Sequence, residues 1–258
     1  MREKVVLSDR LSAVAAMVSM GNRVCDVGCD HGFVPIYLVQ QGISPHVLAM
    51  DVNEGPLEQA REHIQAYDLA SYIETRLSDG LKAYQEGEAD SLVCAGMGGR
   101  LMMQILCENE DKTASFKELI LQPQSDIEQF RAFLRKQGYQ FVEENMIEED
   151  GKYYPMMKVQ KCYKNEYSGG TVPPGESCKS EWHQRMEDRY GPLLLQKKHP
   201  VLYRYLEREK RICEEILGQL QMQGLENQKR SDRYEEINEQ LQDCLKVLEE
   251  MSEGTKML

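Results

Sequence analysis

Long apolar runs are missing from this chain: none approaches the roughly 18 residues that a membrane-spanning helix requires. The opening stretch, MREKVVLSDRLSAVAAMV, is broken by Asp9 and Arg10 before its apolar face repeats, so a soluble, cytoplasmic protein without a signal peptide or membrane partner is expected. C-x-x-C pairs are missing as well, although there are 8 cysteines, several of them inside apolar runs. That usage points to reduced, packed thiols and excludes a disulfide framework or a zinc site; no metal is expected. Nor is there an excess of positive charge, since the formal net charge of −12 argues against a nucleic-acid coat protein. One stretch runs the other way. Between Lys179 and Arg211, 9 Lys/Arg residues face 5 acids, with Trp182, Tyr190, Tyr203 and Tyr205 interleaved. A solvated helical face accounts for the charge, and a surface that follows a phosphate backbone while stacking bases accounts for the aromatics too.

What is present is enough apolar residue, 41% of 258, for one large core and a smaller module. Up to about Lys164, short apolar runs alternate with helical patterns, as in a parallel sheet covered by helices. Strands are expected at Arg23–Val27, His46–Asp51, Tyr72–Leu77, Asp90–Ala95 and Leu119–Gln122. Helices are expected at Val34–Gln41, Pro56–Tyr67 and, on a shorter pattern, Leu81–Tyr84, then at GRLMMQIL and Ile127–Gln137. Two extended segments follow around Glu149-Asp150-Gly151-Lys152, where Asp-Gly signals a hairpin. A parallel sheet ending in an antiparallel pair resembles the Rossmann-like sheet of class I S-adenosylmethionine-dependent methyltransferases.

The Gly/Pro/Ser-rich stretch 165–177 reads as a linker between a catalytic domain (1–164) and a helical coiled-coil domain (178–258). In the last segment Tyr234, Ile237, Leu241, Cys244, Leu248 and Met251 fall on one helical stripe. Leu202, Leu206, Cys213, Ile216 and Leu220 form a rougher one, so an antiparallel helical hairpin is expected. The fold class is therefore α/β, with that hairpin at the C-terminus.

The chemistry concentrates where strands end. In VCDVGCDHGFVPIYL, Asp26 ends the first strand, Gly28 permits a tight turn, Gly32 lets the next helix start close to the sheet, and Asp30 and His31 project from the turn. Backbone N–H groups at such a turn bind anions, but an acid at the strand end repels a pyrophosphate and favours a cationic ligand. The spacing is D-x-G-x-x-x-G; the G-x-G-x-x-G of dinucleotide enzymes is missing. Asp51, at the end of VLAMD, suits a ribose diol or the cap of the following helix. Asp79 in LSDGL suits an adenine amino group or a plain turn. After the fourth strand, Gly96, Gly98 and Gly99 read as an open loop of exposed N–H groups with nothing packed on it. The Asn/Asp-Pro-Pro-aromatic signature that methyltransferases of exocyclic amines carry there is missing.

LSDRLSAVAAMV, VCDVGCDHGFVPIYL, DVNEGPLEQA, LSDGL, DSLVCAGMGG, LILQP and EEDGKYYPMM, in this order and spacing, resemble the bacterial tRNA (adenine(22)-N(1))-methyltransferase family. The resemblance covers the catalytic domain and extends through RYGPLLLQKKHPVLYRYLEREKR into the tail. It implies S-adenosylmethionine as methyl donor and N1 of adenine 22 of a tRNA as acceptor. Donor contacts are implied at Asp26, Gly28, Cys29 and Gly32 of the first turn, at Asp51 and Val52, at Asp79 and Gly80, and at Ala95, Gly96, Met97 and Gly98.

Methyl transfer from a sulfonium is an in-line displacement that asks mainly for orientation and exclusion of water. Adenine N1 has an in-plane lone pair, and methylation leaves positive charge on the ring, so Asp30 is the candidate catalytic carboxylate with His31 in support. Capping of the following helix is the competing role for Asp30. The tRNA is expected on the catalytic mouth and the Lys179–Arg211 segment, on a monomer or weak dimer, with Tyr153 and Tyr154 as candidates for stacking the acceptor base. A small-molecule or other RNA methyltransferase of the same class is the nearest alternative. A NAD-dependent oxidoreductase and a non-catalytic interaction protein are more distant ones.

Overall fold

A computed structural model of the chain describes residues 4–162, 180–223 and 228–252. It divides into two compact units, Met1–Ser177 and Cys178–Leu258; the linker expected at 165–177 lies outside the described residues. No described helix is long and apolar enough to cross a membrane.

In the first unit the order is α1 (Asp9–Ala16), β1 (Val24–Val27), α2 (Phe33–Gln40), β2 (Val47–Asp51), α3 (Glu54–Ala66), β3 (Ile73–Leu77), β4 (Ser91–Met97), α4 (Gly99–Glu108), α5 (Glu110–Ala114), β5 (Glu118–Pro123), α6 (Ile127–Lys136), β6 (Tyr139–Glu149) and β7 (Lys152–Lys161). The strands form one sheet in the order β3-β2-β1-β4-β5-β7-β6. The first five run parallel, β7 is antiparallel to β5, and β6 is antiparallel to β7. The expected Rossmann-like sheet with an antiparallel end is what the chain builds. Its hairpin turns at Asp150 (φ 50°) and Gly151 (φ 71°), two left-handed residues that match the twist of the flanking strands.

Successive strand residues face opposite sides of the sheet, and both sides are covered. Val24, Val47, Ala49, Val93 and Ile120 pack beneath α1, α2 and α3. Cys25, Leu48, Met50, Leu92 and Leu121 pack with Met102 of α4 and Phe130 of α6. Glu118 at the start of β5 accepts hydrogen bonds from the backbone N–H (2.8 Å) and hydroxyl (2.6 Å) of Ser19, which pins the chain leaving α1 to the sheet. The N-terminus of α1 is capped by Ser8, whose side chain accepts from the Leu11 N–H.

Three local expectations are corrected. Leu81–Tyr84 is a run of turns, because Gly80 sits at φ 56° and the Ser78 hydroxyl bonds both the Gly80 carbonyl (2.8 Å) and the Ala83 N–H (3.0 Å), competing with a helical ladder. Helix α5 was not expected; it is a single short turn held by the Thr113 hydroxyl on the Asn109 carbonyl (2.8 Å). The glycines of AGMGG are not an open loop. Gly96 and Met97 continue β4 through a register shift, and the N–H groups of Gly96 and Gly99 are spent on Gln122 Oε1 (3.2 Å) and the Ser125 carbonyl (3.1 Å).

Gly99 is a packing glycine. A Cβ there would lie 2.5 Å from the Ser125 carbonyl oxygen, a backbone atom, whereas one at Gly98 would meet only the Ser125 hydroxyl at 3.0 Å. Gly99→Ala is therefore expected to destabilise the unit by about 2–3 kcal/mol, and Gly98→Ala by less than about 1 kcal/mol. Chemical denaturation of both variants checks the difference, and equal losses would refute the packing account.

The second unit contains α7 (Glu181–Tyr190), α8 (Pro192–Gln196), α9 (Pro200–Met222) and α10 (Gln228–Ser252). Helices α9 and α10 pair antiparallel, since the Gln221 side chain meets the Tyr234 hydroxyl (2.9 Å) and Cys244 meets the Leu206 carbonyl (3.3 Å). Ile237, Leu241, Cys244, Leu248 and Met251 are buried as the stripe requires; on α9 the buried set is Leu202, Leu206, Cys213 and Leu217, so the inward face includes Leu217 in place of Leu220.

Candidate active site

A cavity of about 260 Å³ opens at the C-terminal ends of β1 and β4. This is the end of a doubly wound sheet at which diverging helices leave a crevice. Of the residues singled out in the sequence, Asp26, Gly28, Cys29, Asp30, His31, Ala95 and Gly96 line it. Gly32, Asp51, Val52, Asp79, Gly80, Met97 and Gly98 do not.

The turn after β1 is tight because its backbone donors are bound internally. The N–H groups of Gly28 and Cys29 both go to the Met50 carbonyl (2.8 and 3.0 Å), that of Gly32 to the Cys29 carbonyl (2.8 Å), and that of Asp30 to Asp51 Oδ2 (3.2 Å). An anion cradle of N–H groups, expected for such a turn, is thus not formed by these residues. Gly28 is left-handed at φ 78°, and a Cβ on it would strike Met97 Cε at 2.9 Å. Gly32, at φ 76°, lies against Ala60 on α3, where an added Cβ would be 3.0 Å from that of Ala60.

Asp26 is 4% exposed and lines the cavity. Among the described residues no hydrogen bond reaches its carboxylate. Burial, then the charge of Asp51, pushes its pKa up to about 7. Burial and the Asp26 charge also push the Cys29 and Cys94 thiols well up, so both are inert, packed sulfurs. Asp51 spans two loops: its Oδ1 accepts from the Asn53 N–H (2.9 Å) and its Oδ2 from Asp30. The cap position of α3 itself is Asn53, without a side-chain bond.

Asp30 has φ 51°, a left-handed conformation that a side chain adopts at a cost. It does not cap α2, whose N-cap is Gly32 with no side-chain hydrogen bond. Its carboxylate is 70% exposed and stands 3.5 Å from His31 Nε2. The His31 carbonyl is met by His63 Nδ1 at 2.9 Å, and His63 stacks on Phe33 (centroids 4.7 Å apart). Asp79 is 62% exposed and ion-paired with Lys82, and Val52 is 58% exposed. Both stand outside the cavity.

Arg10, Leu11, Phe33, Val34 and Gln124 line the cavity without having been singled out. For Phe33 and Val34 a signal existed, since they open the helix that leaves the turn. Arg10 gave a different one, a cation in the first turn of a helix where the macrodipole disfavours it. In the second unit, Arg185 pairs with Glu239 (2.9 Å) and Asp243 (2.8 Å), and Arg189 pairs with Glu209. Trp182 bonds Asp243 (2.7 Å) and carries Lys246 Nζ 3.5 Å above its ring, and Tyr190 is buried. Of the four interleaved aromatics, Tyr203 is the large exposed one, at 40%; Lys179 lies outside the described residues.

Residues 7–157 match a family model described as "Methyltransferase domain". The chain is 28% identical over 244 residues to the tRNA (adenine(22)-N(1))-methyltransferase of Bacillus subtilis, covering 94% of this chain and 97% of that one. It is 32% identical to the crystal structure of a putative tRNA (m1A22) methyltransferase of Streptococcus pneumoniae, with a TM-score of 0.79 over 94% of this chain and 100% of that one. A second structure of that protein, in complex with S-adenosyl-L-methionine, is similar at 31% identity, a TM-score of 0.77 and the same coverage. With a sheet of this order, a cavity at the ends of β1 and β4, and relatives that match along nearly the whole length, the chain belongs to the tRNA (adenine(22)-N(1))-methyltransferase family of class I S-adenosylmethionine-dependent methyltransferases.

Proposed function

We propose that the protein transfers a methyl group from S-adenosylmethionine to N1 of adenine 22 of a tRNA. The observation that carries this reading is the Asp26 carboxylate, buried, without a hydrogen bond from a described residue, and turned to a cavity at the strand ends. A buried carboxylate without a partner is costly, and a ligand bearing an ammonium and a sulfonium supplies the missing positive charge. The residues present therefore fit the donor: Asp26 would hold the ammonium of its amino-acid end, with the Gly28–Cys29 turn beside it as cavity wall, and Asp51 its ribose. Val52, Asp79 and Gly80 would meet the nucleoside beyond the cavity, with Ala95, Gly96, Met97 and Gly98 flanking it. When bound, S-adenosylmethionine supplies an electrophilic methyl group on sulfur.

The chain's own work is orientation and charge. Gly28 and Gly96 let the backbone approach closely, and Val34, Val93 and Ala95 give the cavity apolar walls that exclude water. Asp30 presents an exposed carboxylate at the rim, its backbone N–H tied to Asp51, in a conformation that serves no cap. There it offsets the positive charge that N1-methylation leaves on the adenine and accepts the proton released from the exocyclic amine, with His31 Nε2 beside it. Asp30→Asn is expected to lower kcat about 100-fold while leaving donor affinity within about 2-fold. Single-turnover kinetics with calorimetry checks this, and unchanged turnover would remove Asp30 from the chemistry.

Residues 1–164 act as the catalytic domain in this reading, and the Lys179–Arg211 segment meets tRNA phosphates with the cations its internal ion pairs leave available. A cytoplasmic site, where the thiols stay reduced, follows from such a substrate. Incubation with unmodified tRNA and labelled donor, followed by nucleoside mass analysis, tests the whole. 1-Methyladenosine at position 22 is expected, and no methylated adenosine would end the proposal.

A further inference from the structure

Two carboxamides flank Pro123 at the end of β5, and their fates differ. Gln122 is completely buried and spent: its Oε1 accepts from the Gly96 N–H (3.2 Å) and from Arg10 Nη1 (2.8 Å), and its Nε2 donates to the Pro123 carbonyl (3.2 Å). Gln124 is exposed and lines the cavity. Its backbone is fixed, because its N–H donates to the Met97 carbonyl at 3.0 Å. Among the described residues no hydrogen bond reaches its side chain. A Cβ built on Gly96 would lie 3.9 Å from Gln124 Nε2, so the amide lies along the glycine wall of the cavity.

A free carboxamide offers an acceptor and an N–H donor side by side, the complement of adenine N6–H and N7. Pairing with N1 and N6 is the other option, but it occupies the lone pair that must attack the methyl group. A base reacting at N1 is therefore readable by Gln124 only from its N6/N7 edge, with Oε1 accepting the N6–H on the N7 side and Nε2 donating to N7. The other N6–H, on the N1 side, is left for Asp30 at the rim. Phe33, 37% exposed on the same cavity and stacked on His63 (centroids 4.7 Å apart), gives a base an aromatic face to lie on. We propose that Gln124 selects the acceptor adenine by its N6/N7 edge and so holds N1 free for transfer. This inference rests on the reading of adenine N1 as the acceptor, and it gives Gln124 no part in holding the donor.

Kinetics on tRNA carrying either adenine or 7-deazaadenine at position 22 test it, since the second base has a C–H in place of N7. Gln124→Ala is expected to lower kcat/KM for adenine about 30-fold, the loss of a bidentate pair, while S-adenosylhomocysteine affinity measured by calorimetry stays within about 2-fold. The ratio of kcat/KM for adenine over 7-deazaadenine should be about 10-fold larger in wild type than in Gln124→Ala. The changed basicity of N1 in the analogue is common to both proteins and cancels. Gln124→Glu accepts from N6–H but has no N–H for N7, so its ratio should match that of Gln124→Ala. Equal ratios in wild type and Gln124→Ala would mean that this side chain does not read N7, and would overturn the proposal. So would S-adenosylhomocysteine binding weakened as much as kcat/KM, which would move the amide to the donor site. Wild type that binds S-adenosylhomocysteine but methylates neither tRNA would remove the acceptor reading itself, and this inference with it.

Discussion

Asp26→Asn is expected to abolish donor binding, with a loss of at least about 100-fold, while making the ligand-free protein more stable at pH 8. Both effects have one cause. The carboxylate lies in a buried site beside Asp51, and its pKa is pushed up to about 7 from 3.8. Between those two values the folded chain holds a proton that the unfolded chain has released, so stability falls as pH rises from about 4 to about 7 and is level above. A shift of about 3 units corresponds to about 4 kcal/mol at pH 8. The amide carries no charge to desolvate, and the expected gain is about 2 kcal/mol once its unpaired N–H groups are allowed for. Melting curves from pH 4 to pH 8 should show the decline in wild type and its absence in Asp26→Asn. A parallel decline in both proteins would place the titration elsewhere. Binding carries the complementary sign: a cationic donor selects the ionised carboxylate, so its association should release a proton near pH 6.5 and tighten toward pH 8. A site that stabilises its ligand at the expense of its own fold is what a buried, unpaired charge amounts to.

The architecture was legible because it rests on periodic signals. Each parallel strand is a short run of apolar residues buried on both faces, and Asp150-Gly151 fits a turn that requires two positive φ angles. What the sequence could not show is where a donor spends its hydrogen bond. Gly96, Gly98 and Gly99 look like an exposed cradle when read as letters. In the fold one continues a strand, one caps a helix and one touches a backbone carbonyl. The turn glycines likewise spend their donors inside the protein, the Gly28 N–H on the Met50 carbonyl and the Gly32 N–H on the Cys29 carbonyl. Arg10 escaped for a related reason, since it lies far along the chain from the strand ends and reaches them only because α1 is pinned by Ser19 to Glu118 and by its own N–H to Glu149. The competing roles of Asp30 and Asp51 were separable only when the caps of α2 and α3 proved to be Gly32 and Asn53.

Arg131→Met is expected to cost about 3–5 kcal/mol, the largest stability loss from a single side chain away from the cavity. Arg131 on α6 donates from Nε to Glu144 Oε1 on β6 at 2.9 Å, and the two side chains are 1% and 0% exposed. Removing the cation leaves a carboxylate in a dry site, which costs far more than the pair contributes when intact. The double variant Arg131→Met/Glu144→Leu should therefore regain most of the loss, a result that separates the stranded charge from lost packing. In melting temperature the single change corresponds to a fall of about 10 °C for a unit of this size. The consequence for the site is indirect. Strand β6 ends at Glu149, which holds the Arg10 backbone, and α6 begins just after the Ser125 carbonyl that packs on Gly99. Well below the melting transition, donor affinity in Arg131→Met should stay within about 3-fold of wild type, because the cavity is built on the parallel strands and only its arginine wall leans on the hairpin. Loss of affinity in step with loss of stability would mean instead that the antiparallel end of the sheet sets the geometry of the donor site.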